Sequence, residues 1–328
     1  MMWIGSGVAF AKAGTKQGAT AGESPHGASY AKTSVPKVVE NLASASEHDV
    51  PVGMVDTLRF ALKRYGLLGT VGRYLLMKSE CRRFERAGRT AGERIERRRL
   101  LSAFDRIQRN VACAHSPHQF VIMARFILDL EPEGPIVECG CFRGGSTAKL
   151  SLLAERTGRR LYVCDSFSGL PEAKDPADGV LMSLGEGPSY CLQPGAYAAT
   201  LDEVRQNVRR FGCIEVCEFL PGLFHESLPD LRVNPACVFT DVDYVSSARD
   251  CLRYLWPRLV PGGCWFTHEA MFHNYVSGIM DPKWWHNTLQ ECPPLMMGAG
   301  SGLSELAQSL AYFQKGGGRS TSDLQWPS

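Results

Sequence analysis

The chain is most informative at first through what it lacks. Its 12 cysteines include no CxxC pair, which excludes a structural zinc site of the usual spacing. It has no GxGxxG and no GxxxxGK[ST] sequence, so neither a dinucleotide fingerprint nor a P-loop is present. No apolar run approaches the length of a membrane span. The opening Met1 to Ala11 lacks a basic leader and a long hydrophobic core, so the expectation is no signal peptide and a cytoplasmic protein. Net charge is only +2 over 328 residues, which gives the whole molecule no strong field toward nucleic acid or anionic lipid.

That small net charge hides an asymmetry. Between Arg59 and Arg109 there are 15 Lys or Arg against 5 Asp or Glu. Such a stretch is either a solvated helical face or a basic docking face for nucleic acid or membrane. Cys139, Cys141, Cys164, Cys213, Cys217, Cys237, Cys251 and Cys264 mostly sit in or beside apolar runs, as reduced, buried thiols do.

What is present is a strand and helix alternation. Residues 1–50 are rich in Gly, Ala, Ser and Lys without a sustained period and read as a flexible leader. Residues 55–130 read as a helical cap, packed on the sheet or on a partner subunit. Its helices are expected at Val55 to Lys78, with Gly66, Gly69 and Gly72 as possible breaks, at Leu100 to Ala114 and at Gln119 to Leu130. Residues 131–318 form the main domain, and 319–328 a flexible tail. Strands are expected at Ile136-Val-Glu, Leu161 to Cys164, Ile214 to Phe219, Ala236 to Thr240 and Cys264 to Thr267, with late strands near 290–297 and 308–314. Helices are expected at Ser146 to Arg156, capped by Ser146 or Thr147, at Thr200 to Phe211, capped by Thr200, and at Ser247 to Trp256. Residues 166–197 read as one long loop at the site's edge. The fold class is α/β: a Rossmann-like, mostly parallel sheet with helices on both faces.

In such a sheet, ligands gather at the carboxyl ends of the strands. Ile136-Val-Glu-Cys-Gly-Cys-Phe-Arg-Gly-Gly-Ser-Thr147 is a strand, a glycine turn and a helix start. Asp165, ending the next strand, lands where a ribose diol would sit. S-adenosylmethionine suits this pair, having a ribose diol and an amino acid part but no pyrophosphate. The candidate cofactor contacts are Glu138, Cys139, Gly140, Arg143, Ser146, Asp165, Ser166, Phe167 and Asp241. Asp241, Asp243, His268 and Glu269 gather at two neighbouring strand ends. Either a divalent cation (Mg²⁺ or Mn²⁺) binds there and activates an acceptor hydroxyl, or His268 acts as general base steadied by Asp243 or Glu269. The catalytic candidates are His268 and Asp243. His225, His273 and His286 are weaker ones, and Trp284-Trp285 either walls an acceptor pocket or packs in the core.

Five stretches carry a resemblance to a known family. They are Val137-Glu-Cys-Gly-Cys-Phe-Arg-Gly-Gly-Ser, Asp165-Ser-Phe-Ser-Gly-Leu-Pro171, Leu201 to Gly212, Gly222-Leu-Phe-His-Glu-Ser-Leu-Pro229, and Asp241-Val-Asp-Tyr-Val-Ser-Ser running on to Pro261-Gly-Gly263. In order and spacing they resemble the macrocin O-methyltransferases, which methylate sugar hydroxyls of natural products. The resemblance covers about residues 120–270. It implies a class I methyltransferase domain, S-adenosylmethionine as cofactor, a hydroxylated small-molecule acceptor, and a lid after Pro171. It also implies a metal held by Asp243, His268 and Glu269. The chain departs from the family's consecutive aspartates, carrying His268-Glu269, and has Ala270 where an aromatic is usual. Alternatives from other classes are a nucleic-acid or protein methyltransferase docking through the basic helices, and a cofactor-binding protein without turnover. A homo-oligomer through the N-terminal helices is a further expectation.

Overall fold

The computed structural model describes residues 77–182, 189–298 and 309–316. The expected leader, the tail and nearly all of the Val55 to Lys78 helix, with its three glycines, lie outside them. After a helical stretch over 77–86 come α1 (Ala91–Asn110) and α2 (Pro117–Leu128). α2 begins at a reciprocal cap, with Ser116 accepting from the Gln119 amide and Gln119 accepting from the Ser116 amide. It buries Phe120, Val121, Ile122, Met123, Ala124 and Ile127, so it is a core helix with almost no polar face.

The sheet follows as β1 (Ile136–Cys139), β2 (Leu161–Asp165), β5 (Cys217–Pro221), β6 (Cys237–Thr240), β7 (Cys264–Thr267), β8 (Met297–Gly298) and β9 (Ala311–Gln314). Its spatial order is β5-β2-β1-β6-β7-β9-β8. The first five strands are parallel, and β9 runs antiparallel to β7. The connecting helices are α3 (Gly145–Arg156), α4 (Leu201–Phe211), the short α5 (Phe224–Ser227), α6 (Val245–Leu255), α7 (His273–Ile279) and α8 (Pro282–Leu289). Alternate strand residues divide between two apolar clusters. Ile136, Leu161, Phe239 and Phe266 face α1 to α4, while Val137, Val238 and Trp265 face α6 and α8. The described part of the expected cap therefore packs on the sheet layer, with Phe104 of α1 edge-on to Phe120 of α2.

Three local expectations need correction. Ile214 to Val216 is a single 3₁₀ turn, and the strand starts at Cys217; an apolar run this short does not distinguish the two. α3 is capped by Gly144 at φ 81°, not by Ser146 or Thr147; the Thr147 hydroxyl is committed elsewhere. The 166–197 segment is not one loop: it contains the hairpin strands β3 (Val180–Met182) and β4 (Ser189–Cys191). The expected cap at Thr200 is present, its hydroxyl accepting from the Glu203 amide at 3.2 Å.

Candidate active site

Strand order reverses between β1 and β6, because the chain leaves β1 toward β2 and β5 and then returns to the other side. That reversal opens a crevice at the carboxyl ends of the two strands. Gly140 makes it possible. It has φ 85°, and a Cβ there would stand 2.0 Å from the Asp241 carbonyl oxygen. No other residue allows β1 and β6 to approach so closely.

Two acids organise the loops around the crevice. Glu138 is fully buried and accepts a 2.6 Å hydrogen bond from the Thr147 hydroxyl, while its other oxygen has no partner. Burial pushes its carboxyl up to about 8. Asp165 accepts from the Cys141 amide at 2.7 Å and the Phe167 amide at 2.8 Å, tying the β1 loop to the β2 loop. Phe142 and Phe167 both adopt left-handed backbone, φ 47° and 54°. Such strain in bulky residues persists only where surrounding structure enforces it, and it gathers at functional sites.

The other expected cofactor contacts are placed as follows. The Cys139 side chain is in the core, which leaves only its backbone toward the crevice. Ser146 is buried on the first turn of α3. Arg143 turns to Glu203 of α4 at 3.4 Å. Ser166 bonds within its own turn, to the Gly169 carbonyl. Asp241 gives both carboxylate oxygens to imidazoles: Oδ1 lies 3.1 Å from His268 Nδ1, and Oδ2 lies 2.8 Å from His115 Nε2.

His115 was absent from the sequence reading. It sits on the short connection before α2, buried to 2% exposure, its ring edge-on to Phe120, Phe239 and His268. Its Nδ1 lies 3.3 Å from Cys113 Sγ, and Lys149 Nζ donates to the same sulfur at 3.5 Å. Burial opposes charge on both groups, but Lys149 and His115 bring the Cys113 thiol down to about 7. Asp241 and Cys113 likewise raise His115 to about 10. Burial would raise Asp241 too; the two imidazoles outweigh it and hold that carboxyl well below the usual range. Burial lowers His268, whose Nε2 lies 3.0 Å from Ser309 Oγ. The one sequence signal for His115 was a histidine two residues from a cysteine just ahead of a helix cap, which carries little weight alone.

The expected metal set of Asp243, His268 and Glu269 is corrected in part. Among the described residues, the one group whose ligand atoms lie within 4.8 Å of one another is His115, Asp241 and His268. Asp243 stands outside it; it has φ 59°, and burial with the Asp241 charge pushes its carboxyl up to about 8. Glu269 is at the edge, 1% exposed, with Oε1 4.0 Å from His268 Nδ1 and lacking a hydrogen bond. His115 Nε2 also makes no aligned hydrogen bond despite its short distance to Asp241. Two imidazoles on one carboxylate, with the unpartnered Glu269 oxygen beside them, fit a cation, and the nitrogen donors decide which kind.

The remaining candidates resolve simply. His273 and His286 are exposed. His225 is a half-exposed neighbour of Asp250 and Glu226. Trp285 is core, 5.1 Å from Trp256 and donating to the Ile279 carbonyl, while Trp284 is partly exposed beneath Arg249. In the basic helices Arg83, Arg98, Arg99 and Arg109 each meet an acid on a solvated face, while Arg97 is buried over Phe84 and paired with Asp129. The eleven cysteines whose side chains are described are free. No helix of the described residues is long and apolar enough to cross a membrane.

A seven-stranded sheet in this order, with its crevice at the β1 and β6 ends, is the class I methyltransferase fold. Residues 119–281 match the family described as macrocin-O-methyltransferase (TylF). It is 36% identical over 137 residues to 8-demethyl-8-(2,3-dimethoxy-alpha-L-rhamnosyl)-tetracenomycin-C 4'-O-methyltransferase of Streptomyces olivaceus, covering 40% of this chain and 50% of that one. It is 32% identical over 138 residues to mycinamicin III 3''-O-methyltransferase of Micromonospora griseorubida, covering 40% and 52%. The chain thus spans about half the length of the curated relatives it matches. Among solved structures, the O-methyltransferase NovP aligns with TM-score 0.48 and 21% identity over 62% of this chain and 83% of that one. The calicheamicin methyltransferase CalS11 aligns with TM-score 0.42 and 14% identity over 72% and 91%.

Proposed function

We propose that this protein is an S-adenosylmethionine-dependent O-methyltransferase acting on a hydroxyl of a small molecule, with a sugar of a natural product as the acceptor class. The observation that carries the reading is the placing of the His115, Asp241 and His268 cluster at the strand ends beside the Gly140 turn. The family match over 119–281 supports it, as do two relatives whose names both specify O-methylation.

In this reading, residues 131–318 form the cofactor-binding domain. Asp165, already gathering two loop amides, keeps free lone pairs for the ribose hydroxyls. Glu138 holds the first turn of α3 through Thr147 and meets the charged amino acid end of the cofactor through its unpartnered oxygen. The acceptor oxygen attacks the methyl carbon in line. The new C–O bond forms as the C–S bond breaks, a neutral thioether departs, and Asp243 takes the hydroxyl proton. A divalent cation held by His115, Asp241 and His268, when bound, supplies Lewis acidity that makes the acceptor hydroxyl easier to deprotonate. The segment after Pro171 closes over the site. Asp178 anchors it by accepting from the Ser246 amide and hydroxyl, and Arg249 by bridging Asp175 and Asp281.

The test is transfer of a labelled methyl group from the cofactor to a panel of glycosylated and other hydroxylated small molecules. Label in an ether product supports the reading. Cofactor binding without transfer to any of them would instead favour a non-catalytic binding protein, and transfer to RNA or protein would favour the other class.

A further inference from the structure

The strand-end cluster has a donor set that magnesium does not favour. Mg²⁺ takes hard oxygen ligands and waters, whereas imidazole suits Fe²⁺, Co²⁺, Ni²⁺ and Zn²⁺. Here two imidazoles and a carboxylate converge within 4.8 Å. We propose that His115, Asp241 and His268, with Glu269 Oε1 at the edge, form a binding site for a nitrogen-preferring first-row transition dication, His115 being the ligand that sets the preference.

Three independent observations carry this. First, the set is two histidines and one carboxylate, the combination that holds divalent iron and its neighbours with open positions left for substrate. Second, both histidines have the outer partner that a metal-bound imidazole needs. His115 presents Nε2 to the cluster and Nδ1 to Cys113 Sγ, and His268 presents Nδ1 to the cluster and Nε2 to Ser309 Oγ. Such partners fix ring orientation and tautomer, and themselves matter for affinity. Each is supported in turn, Cys113 by Lys149 and Ser309 by an amide hydrogen bond from Gln119 at 2.5 Å. Third, Glu269 Oε1 is a buried carboxylate oxygen without a hydrogen bond, and leaving it so is costly unless something else occupies its lone pairs.

His115 precedes the family-matched segment 119–281. It is contributed by the connection between α1 and α2, which brings its imidazole to the strand ends. A mononuclear site of this kind keeps positions for a vicinal diol or a hydroxyl and water pair. The inference concerns the same site as the proposed methyl transfer but does not depend on its occurring.

The test uses the full chain stripped with a chelator and titrated with Co²⁺ as a visible probe, then with Zn²⁺ and Mg²⁺ by calorimetry. The expected result is a stoichiometric Co²⁺ absorption band, displaced by Zn²⁺ and unaffected by millimolar Mg²⁺. His115→Gln and His268→Gln should each weaken Co²⁺ binding by at least about 100-fold, and Ser309→Ala by about 10-fold or more, as outer-partner changes do. Circular dichroism of each variant checks that it is folded; if His115→Gln is not, His268→Gln and Ser309→Ala decide. Absence of the band, preference for Mg²⁺, or unaltered affinity in the folded variants overturns the site. Metal binding without methyl transfer would leave this site standing and count against the catalytic reading, and the converse result would separate them the other way.

Discussion

Thr147 donates a 2.6 Å hydrogen bond to Glu138, joining the first turn of α3 to the penultimate residue of β1 inside the core. The bond keeps the glycine turn between them in one shape. Its acid also makes the stability of the fold depend on pH.

Burial raises the Glu138 carboxyl from its ordinary 4.5 to about 8. Between those values the folded chain keeps a proton that the unfolded chain has lost. Folding therefore takes up a proton, and stability falls as pH rises through that window. Glu138→Gln should remove this share. Comparing urea unfolding at pH 6 and 8.5, wild type should lose on the order of 2–3 kcal/mol more than the variant. Parallel pH profiles would contradict the buried, protonated acid.

Gly140→Ala should be destabilising by at least about 2 kcal/mol, combining a left-handed backbone strain with a clash. The new methyl would meet the Asp241 carbonyl. Differential scanning calorimetry should show the drop, and cofactor affinity should fall with it. An unchanged melting temperature would mean the β1 and β6 ends are not so close.

Asp165→Ala removes the acceptor for the Cys141 and Phe167 amides together. Both loops should loosen, and S-adenosylmethionine affinity should drop by about 10-fold or more, as expected for loss of charge-assisted hydrogen bonds. Calorimetry that shows wild-type affinity would remove Asp165 from the ribose role.

Asp178→Ala frees the 172–179 segment from the start of α6, because one carboxylate accepts from Ser246, Lys174 and Asp175. Hydrogen exchange in that segment should quicken while the sheet stays protected. Acceptor KM should rise more than kcat falls if the segment is a lid. Equal protection in both proteins would show that the anchor lies elsewhere.

The order of elements was legible in the sequence, since the apolar runs at Ile136, Leu161, Ala236 and Cys264 are short, buried strands separated by helical periods. Period says nothing about a run as short as Ile214 to Phe219, where one 3₁₀ turn displaced the strand start. The two strands inside 166–197 have three residues each, too few to show a strand period.

The sequence alone determined the α/β class and which strand ends carry acids, because strand period and glycine turns are local properties written residue by residue. Only the tertiary structure decided which of those acids meet. His115 and His268 are 153 positions apart in the chain, yet their ring centroids lie 4.5 Å apart. No local pattern encodes that distance; it follows from α2 packing across β6 and bringing its leading connection over the strand ends. The same packing gave Asp241 two imidazole partners and left Asp243 outside, a choice between acids two residues apart that depends on side-chain direction rather than on spacing.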